Sequence, residues 1–598
     1  MLKSSRPNAF LRRVILSFVG FRTIGIFLLM FVSSGVLSGV IRYFTSWNPD
    51  LSLAVSTILC ITVFSWFIYL SRQTPLPPLS KIFALLFCGS ILVTYSVYCL
   101  YNVYFDGFVS LGSPDAGNHV QLSRIFLNSD PKTYNGFIGL YSYVFMLQKL
   151  GLDTFESFTL AFYTVVALVA SAPFFFLALR TNTRLESTKK YWIEAVGVLL
   201  FSLPVFYRIL LPSMHYNQGE GFWAHLFGLI PLILLCLSYG LFSSLFSRLA
   251  ALLFGVVVYR FIYGLNLGDL ILTAGILMLC ELFKDNTLGR WRNLLLSMAI
   301  LLAAGSLFAY TKLYVLNDVT GAIVPPKIFN SLLGQCLTIV VLGIYYLLTP
   351  TITNSFSRII RFVGVFIAIN LVVQLVYLIA GLPQLYYFQK YNFHSVFLGC
   401  LVAIPILADL FERTIFNVLL IIKKKKELSS QAIRSNLHMF VSILICVLAL
   451  SEVNNAHHIY KKSFRERLWG KPPTWNFNSP LVDRKAEKII SDWLRDENKT
   501  FGGLVVCDYS IVNFMNASFG YNRGIDLLRK GGGLPTNNQC VFWFDNEVAI
   551  EALAYYKEKG TIQSYDTVMA WKKHESTRCV SYTPKHDLTE QRLCGLCL

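Results

Sequence analysis

The sequence predicts an all-helical polytopic membrane bundle of about thirteen transmembrane helices, followed by an extracytoplasmic α/β domain. Three observations predict it. The 598 residues are 55% hydrophobic and only 14% charged, with a mean hydropathy of +0.55; a soluble chain averages about 25% charged residues. Apolar runs approaching the ~20 residues a spanning helix needs recur through residues 1–452. The charge pattern changes beyond them: residues 1–452 hold 32 Lys/Arg and 17 Asp/Glu, whereas 453–598 hold 20 and 16, an ordinary soluble composition. Together these exclude a disordered chain, a disulfide-stapled miniprotein and an ordinary soluble enzyme.

The spans are read near 22–45, 51–70, 82–104, 157–179, 191–211, 222–246, 249–264, 267–283, 293–312, 329–348, 362–381, 393–411 and 436–452. They are too long for barrel strands and do not alternate, so they are helices. The seventh is short and carries Arg260 in mid-span. Thr414 to Ile422 is too short to span and is read as a separate interfacial segment.

Orientation follows from the excess of Lys/Arg in cytoplasmic loops. Lys3, Arg6, Arg12, Arg13 and Arg22 place the N-terminus in the cytoplasm. Alternation then puts 23 of the 32 Lys/Arg of residues 1–452 inside, including the run Lys423–Lys426. The C-terminal domain falls outside. This bias accounts for most of the net charge of +19, so no nucleic-acid partner is implied. The first span is read as an uncleaved anchor in a plasma or inner membrane.

Five of the thirteen cysteines lie in the outer domain: Cys507, Cys540, Cys579, Cys594 and Cys597. An oxidising exterior permits disulfides, and an odd number leaves one unpaired or paired elsewhere. Cys594 and Cys597 form a CxxC with no second ligand pair, so no metal is assigned to it. Asn498 and Asn516 head glycosylation sequons. Phe501–Asp508 and Val541–Phe544 read as strands, and Glu547–Lys559 as a helix. The glycine run at 531–533 lacks the P-loop pattern.

Ionisable groups at membrane depth are costly and mark function by default. Here they gather toward the outside. His119, His215, His225, His394, His457 and His458 map to outer loops or helix ends, as do Asp106, Asp115, Glu220 and Asp269. Glu194, Glu281, Asp409 and Glu412 fall at or near the cytoplasmic side. The first large outer loop, about 105–156, brackets Asp115 with Gly112, Pro114 and Gly117, so Asp115 sits in a turn ahead of a helix that bears His119. Thr133 to Gly151 reads as an amphipathic helix lying on the membrane.

The bundle, the acidic first loop and the outer C-terminal domain resemble the GT-C superfamily of membrane glycosyltransferases. The segment Gly151-Leu-Asp-Thr-Phe-Glu156-Ser-Phe is similar to a step in arabinofuranosyltransferases that act on cell-wall galactan. The resemblance covers the membrane domain and scarcely the tail. It implies inverting transfer of a sugar, a pentose such as arabinofuranose, from a polyprenyl-phosphate donor to a cell-envelope glycan. Many such enzymes carry paired acids in this loop; this chain has Asp115 with His119. No cofactor is expected, and a divalent metal is not indicated.

The chemistry needs a base on the acceptor hydroxyl and positive charge on the leaving phosphate. Asp115 is the candidate base, with His119 as partner or alternative. Lys390, Tyr387 and His394, at the outer mouth of the twelfth span, are candidates for the donor phosphate. Glu220, His225 and His457 are candidates for lining an acceptor cavity. Two other classes remain: a transporter or flippase, which would depend on mid-span groups such as Arg260, and an O-antigen polymerase or ligase using a diphosphate-linked donor.

Overall fold

The computed structural model describes residues 21–71, 79–101, 108–109, 119–120, 122–123, 137–180, 188–211, 213–214, 217, 223–242, 244–263, 266–284, 325–348, 354–379, 388–424, 482–504, 528, 533–545, 553–554, 557–558, 560, 565–583 and 590–598. The helices are α1 (Phe21–Thr45), α2 (Pro49–Ser71), α3 (Leu79–Tyr101), α4 (Ile138–Lys149), α5 (Thr154–Arg180), α6 (Thr188–Val205), α7 (Trp223–Phe227), α8 (Leu229–Leu241), α9 (Leu245–Arg260), α10 (Leu267–Lys284), α11 (Pro325–Leu348), α12 (Asn354–Ile379) and α13 (Phe388–Lys424). They cover eleven of the thirteen expected spans; those at 293–312 and 436–452 lie outside the described residues. Five are long and apolar enough to cross a membrane: Glu156–Arg180, Tyr191–Leu210, Trp223–Leu241, Ser355–Val376 and Asn392–Arg413.

The surface has the inverted polarity of a lipid-facing protein. Phe83, Phe87, Phe254, Leu347, Val376 and Ile379 are exposed on the helices, while Glu194, Asp269, Asn370 and Asp409 are buried. Helix α13 is the hub, packed on α5, α6, α11 and α12. From Phe397 to Leu410 every residue is buried, as expected of a helix apolar on all sides. It continues unbroken to Lys424, so Thr414 to Ile422 prolongs this helix: without a helix-stopping residue after Arg413, the backbone simply propagates. In α6, Pro204 withdraws a helix donor, and a π-helical turn follows at Phe206–Leu210.

Helix α4 corrects the reading of Thr133 to Gly151 as a membrane-surface helix. Ile138 to Leu147 are all buried, and α4 packs between α1 and α5. Small residues on α1 permit it. A Cβ at Gly35 would stand 2.8 Å from Tyr143 Cδ2, and one at Gly39 would stand 2.5 Å from Ser142 Oγ. The Gly35–Gly39 spacing is the small-xxx-small pattern of close helix approach. Arg260 lies in the last turn of α9 rather than in mid-span.

The C-terminal region holds α14 (Arg484–Asp496), β3 (Thr500–Leu504), β4 (Gln539–Phe544), α15 (Tyr565–Lys572), β5 (Thr577–Tyr582) and β6 (Gln591–Cys597). The sheet order is β3-β4-β6-β5, with β3 and β4 parallel and the other pairs antiparallel. Trp493 of α14 stacks on Phe542, ring centroids 5.4 Å apart. Two disulfides, Cys540–Cys597 and Cys579–Cys594, join β6 to both neighbouring strands. The two cysteines of the CxxC thus bond to different strands, because the register sets Cys597 opposite Cys540 and Cys594 opposite Cys579. Cys507 lies outside the described residues.

A two-residue strand in the first loop, β1 (Phe108–Val109), pairs antiparallel with β2 (Val482–Asp483) just ahead of α14. The first loop and the C-terminal region therefore lie on one side of any membrane, and an even number of spans must separate them.

Candidate functional site

Polar residues inside the bundle form two layers. Helix α9 links them, with Arg248 in one and Tyr259 in the other, eleven residues or about 16 Å apart along the axis. Helix α10 does the same with Glu281 and Asp269, and α13 with Asp409 and His394.

The first layer is ionic. Arg180, at the end of α5, pairs with Glu194 of α6 and with Asp409 of α13, the latter at 2.7 Å. Asp409 also accepts from Tyr345 Oη at 2.7 Å and pairs with Arg413 at 2.9 Å. Glu412 lies close by, so three buried carboxylates converge on two guanidinium groups. A second knot joins Arg248 to Glu281 at 2.8 Å, with Tyr239 and Arg361 on the same carboxylate. These acids, read as near the cytoplasmic surface, are enclosed in the bundle: Glu194 is 0% and Asp409 1% exposed. Buried carboxylates persist because guanidinium groups compensate them.

The second layer is built of aromatic and amide side chains around one carboxylate, Asp269. His225 of α7 and His394 of α13 meet with ring centroids 4.4 Å apart, flanked by Tyr263 and Phe393. His394 Nε2–H donates to the carbonyl of His225 at 2.8 Å, which leaves Nδ1 of the neutral ring to accept from Tyr259 Oη at 3.1 Å. His225 Nδ1–H donates to Asn217 Oδ1 at 2.9 Å, making Nε2 its basic nitrogen. Gly228 keeps this contact open, since a Cβ there would stand 3.3 Å from His394 Cε1.

The layer continues through α10, α11 and α12. Tyr259 Oη receives the backbone N–H of Asn266, whose side chain lies 3.5 Å from Asp269 Oδ2. Asn370 Nδ2 donates to Asp269 Oδ2 at 2.7 Å. Beyond Asn370 stand Gln335, Gln374 and Asn392. The seam therefore runs from His225 to Asn392 without a break. It lies toward the end of the bundle from which the first loop departs: Gly139 N–H, at the start of α4, donates to Phe261 O beside Tyr259 at 2.7 Å.

Of the site residues expected from sequence, His225 and His394 are brought together. His394 is fully buried with both ring nitrogens engaged, so it reaches a phosphate only by giving up a partner. His119 is buried apart from them, its Nδ1 2.9 Å from Tyr141 Oη, against Phe137. Lys390 is placed by backbone alone, in the first turn of α13. Asp115, Glu220, Tyr387 and His457 lie outside the described residues.

Sequence reading missed Tyr259, Asn217 and the amides. A signal for the amides was present: Asn370 and Gln374 are spaced i, i+4 in an apolar span, which puts both on one helix face. Among the described residues two clusters have metal-ligand composition. In Asp545, Cys579 and Cys594 the sulfurs are spent in a disulfide; in Glu194, Asp409 and Glu412 arginines supply the positive charge. The chain matches no protein-family model and no curated protein.

Proposed function

We propose that this chain is a membrane-embedded glycosyltransferase that moves a sugar, a pentose such as arabinofuranose, from polyprenyl phosphate to a cell-envelope glycan on the outer face. One observation carries the reading: the protonatable layer of histidines, Tyr259 and Asp269 stands at the end of the bundle that bears the first loop, while the arginine–carboxylate layer of Arg180 and Arg248 stands at the other. By the positive-inside rule the arginine layer faces the cytoplasm, and a count of thirteen spans, with ten between β1 and β2, is compatible with the even number the pairing of these strands calls for. Two disulfides beyond the last span fit an oxidising exterior.

In this reading Asp115 takes the proton of the acceptor hydroxyl and His119, held by Tyr141, orients it or substitutes for it. Lys390 and Tyr387 contact the leaving phosphate at the mouth of α13, and His394 steadies the layer beneath it. Glu220, His225 and His457 line the acceptor side. Attack opposite the phosphate inverts the anomeric carbon, and no metal is called for.

A transport reading is favoured by the arginine–carboxylate network inside the bundle. Proteoliposomes carrying labelled polyprenyl-phosphate sugar separate the two. Label in a water-soluble glycan supports transfer. Label moved across the bilayer and still lipid-linked, insensitive to Asp115→Asn, contradicts it. A diphosphate-linked donor in the panel tests the polymerase or ligase class.

A further inference from the structure

The polar seam ends in a carboxamide cluster whose hydrogen-bonding capacity is not used up. Gln335 of α11, Asn370 and Gln374 of α12 and Asn392 of α13 meet there. Gln374 Nε2 donates to Asn370 Oδ1 at 2.5 Å and to Asn392 Oδ1 at 2.6 Å. Gln335 Nε2 donates to Asn370 Oδ1 at 2.9 Å and also to Asn392 Oδ1. Left over are Gln335 Oε1, Gln374 Oε1 and Asn392 Nδ2, each buried without a hydrogen-bond partner among the described residues. The three side chains belong to residues only 1%, 1% and 7% exposed.

Asp269 fixes which atom of each amide is left. A carboxylate oxygen accepts only, so Asn370 must turn Nδ2 toward it and Oδ1 toward the glutamines. The glutamines then spend Nε2 on Asn370 and keep Oε1. Asn392 in turn faces them with Oδ1 and keeps Nδ2. Turning any one amide over sets donor against donor or acceptor against acceptor.

The remainder, two acceptors and one donor, selects the ligand chemistry. An anion would meet two oxygens, and a cation would meet an N–H. A hydroxyl group donates and accepts at once. Buried polar atoms left unpaired cost stability, and a converging group of them calls for an occupant such as an ordered water, an ion or a ligand. We propose that the Gln335–Gln374–Asn392 cluster binds the ring hydroxyls of a neutral sugar. This deepens the glycosyltransferase reading, since it seats the ring of the transferred sugar, but the test reads binding without turnover.

The experiment is thermal unfolding of the full chain in nanodiscs with methyl glycosides of neutral pentoses and hexoses, beside sodium phosphate and sodium chloride. Wild type is compared with Gln335→Leu, Gln374→Leu and Asp115→Asn. The expected result is a saturable rise in unfolding temperature with at least one glycoside and none with phosphate. In each Leu variant that affinity falls by about tenfold or more, while the unliganded variant unfolds at the same or a higher temperature, because an apolar side chain relieves an unpaired oxygen. Asp115→Asn keeps the glycoside response; with transfer then absent even from wild type, the transferase reading falls while the sugar site stands. The proposal is overturned if no glycoside shifts wild type, if the Leu variants respond as wild type does, or if they unfold lower, which marks the amides as framework around ordered water. Should Gln335→Leu fail to fold, Gln374→Met is read instead, and failure of both to fold also marks the amides as framework.

Discussion

At the residue scale, the seam is held by hydrogen bonds in which each ring has one assigned tautomer. Tyr259 sets that of His394 from one side and the His225 carbonyl from the other. Replacing Tyr259 by Phe leaves a buried ring nitrogen without its donor. It is expected to cost about 1–3 kcal/mol in the unfolding free energy; an unchanged unfolding curve would show that another donor takes its place. The histidines were legible in the sequence because His is scarce in apolar spans and stands out. Tyr259 was not, since a tyrosine near a helix end reads equally as an interfacial anchor. Nor was it legible that His394 is enclosed: its neighbours in sequence, Tyr391 and Lys390, suggest a headgroup-depth belt, whereas its ring faces the bundle.

At the scale of elements, two contacts decide the packing. Helix α4 is seated because α1 has no side chain at Gly35 and Gly39. Gly39→Leu is expected to overpack this contact and cost about 1–3 kcal/mol, measured as a lower unfolding temperature in detergent; tolerance of the substitution would show that α4 docks by another face. The second contact is Arg180, which joins α5, α6 and α13 through two buried carboxylates. Arg180→Met removes the compensating charge and is expected to cost about 3–5 kcal/mol. Adding Asp409→Asn to that variant should recover part of the loss, and no recovery would indicate that the pair is not coupled.

Helix positions were read from apolar runs alone, and the eleven that fall within the described residues are helical, although α12 begins at Asn354 rather than 362 and α13 runs from Phe388 to Lys424 rather than from 393 to 411. What the runs did not give was the depth of α4. A segment as aromatic as Tyr141 to Phe145 looks interfacial until a partner with glycines at the right spacing is known, and that partner lies about a hundred residues upstream. The continuity of α13 past Arg413 was equally hidden, because a charge such as Arg413 ends an apolar run without ending a helix.

At the scale of the whole molecule, the fold separates the arginine–carboxylate layer of Arg180 and Arg248 from the layer of histidines, Tyr259 and Asp269, and the C-terminal region belongs with the latter through β1 and β2. In the sequence the charge balance changes at residue 453, a position that lies outside the described residues. Disulfide connectivity was not legible, because spacing does not reveal which strands lie opposite one another. Peptide mapping without reduction is expected to recover Cys540 linked to Cys597 and Cys579 linked to Cys594; a Cys594–Cys597 link would contradict the sheet register. Removing the longer link by Cys597→Ser should cost the C-terminal region about 2–5 kcal/mol, read as earlier proteolysis under native conditions.

The most direct test of outward glycosyl transfer is the assay of purified protein in lipid with radiolabelled polyprenyl-phosphate sugars, wild type beside Asp115→Asn. Label passing from the lipid to a glycan acceptor with wild type, and not with a folded Asp115→Asn protein, is the predicted result. The absence of transfer from every donor and acceptor tried would contradict it.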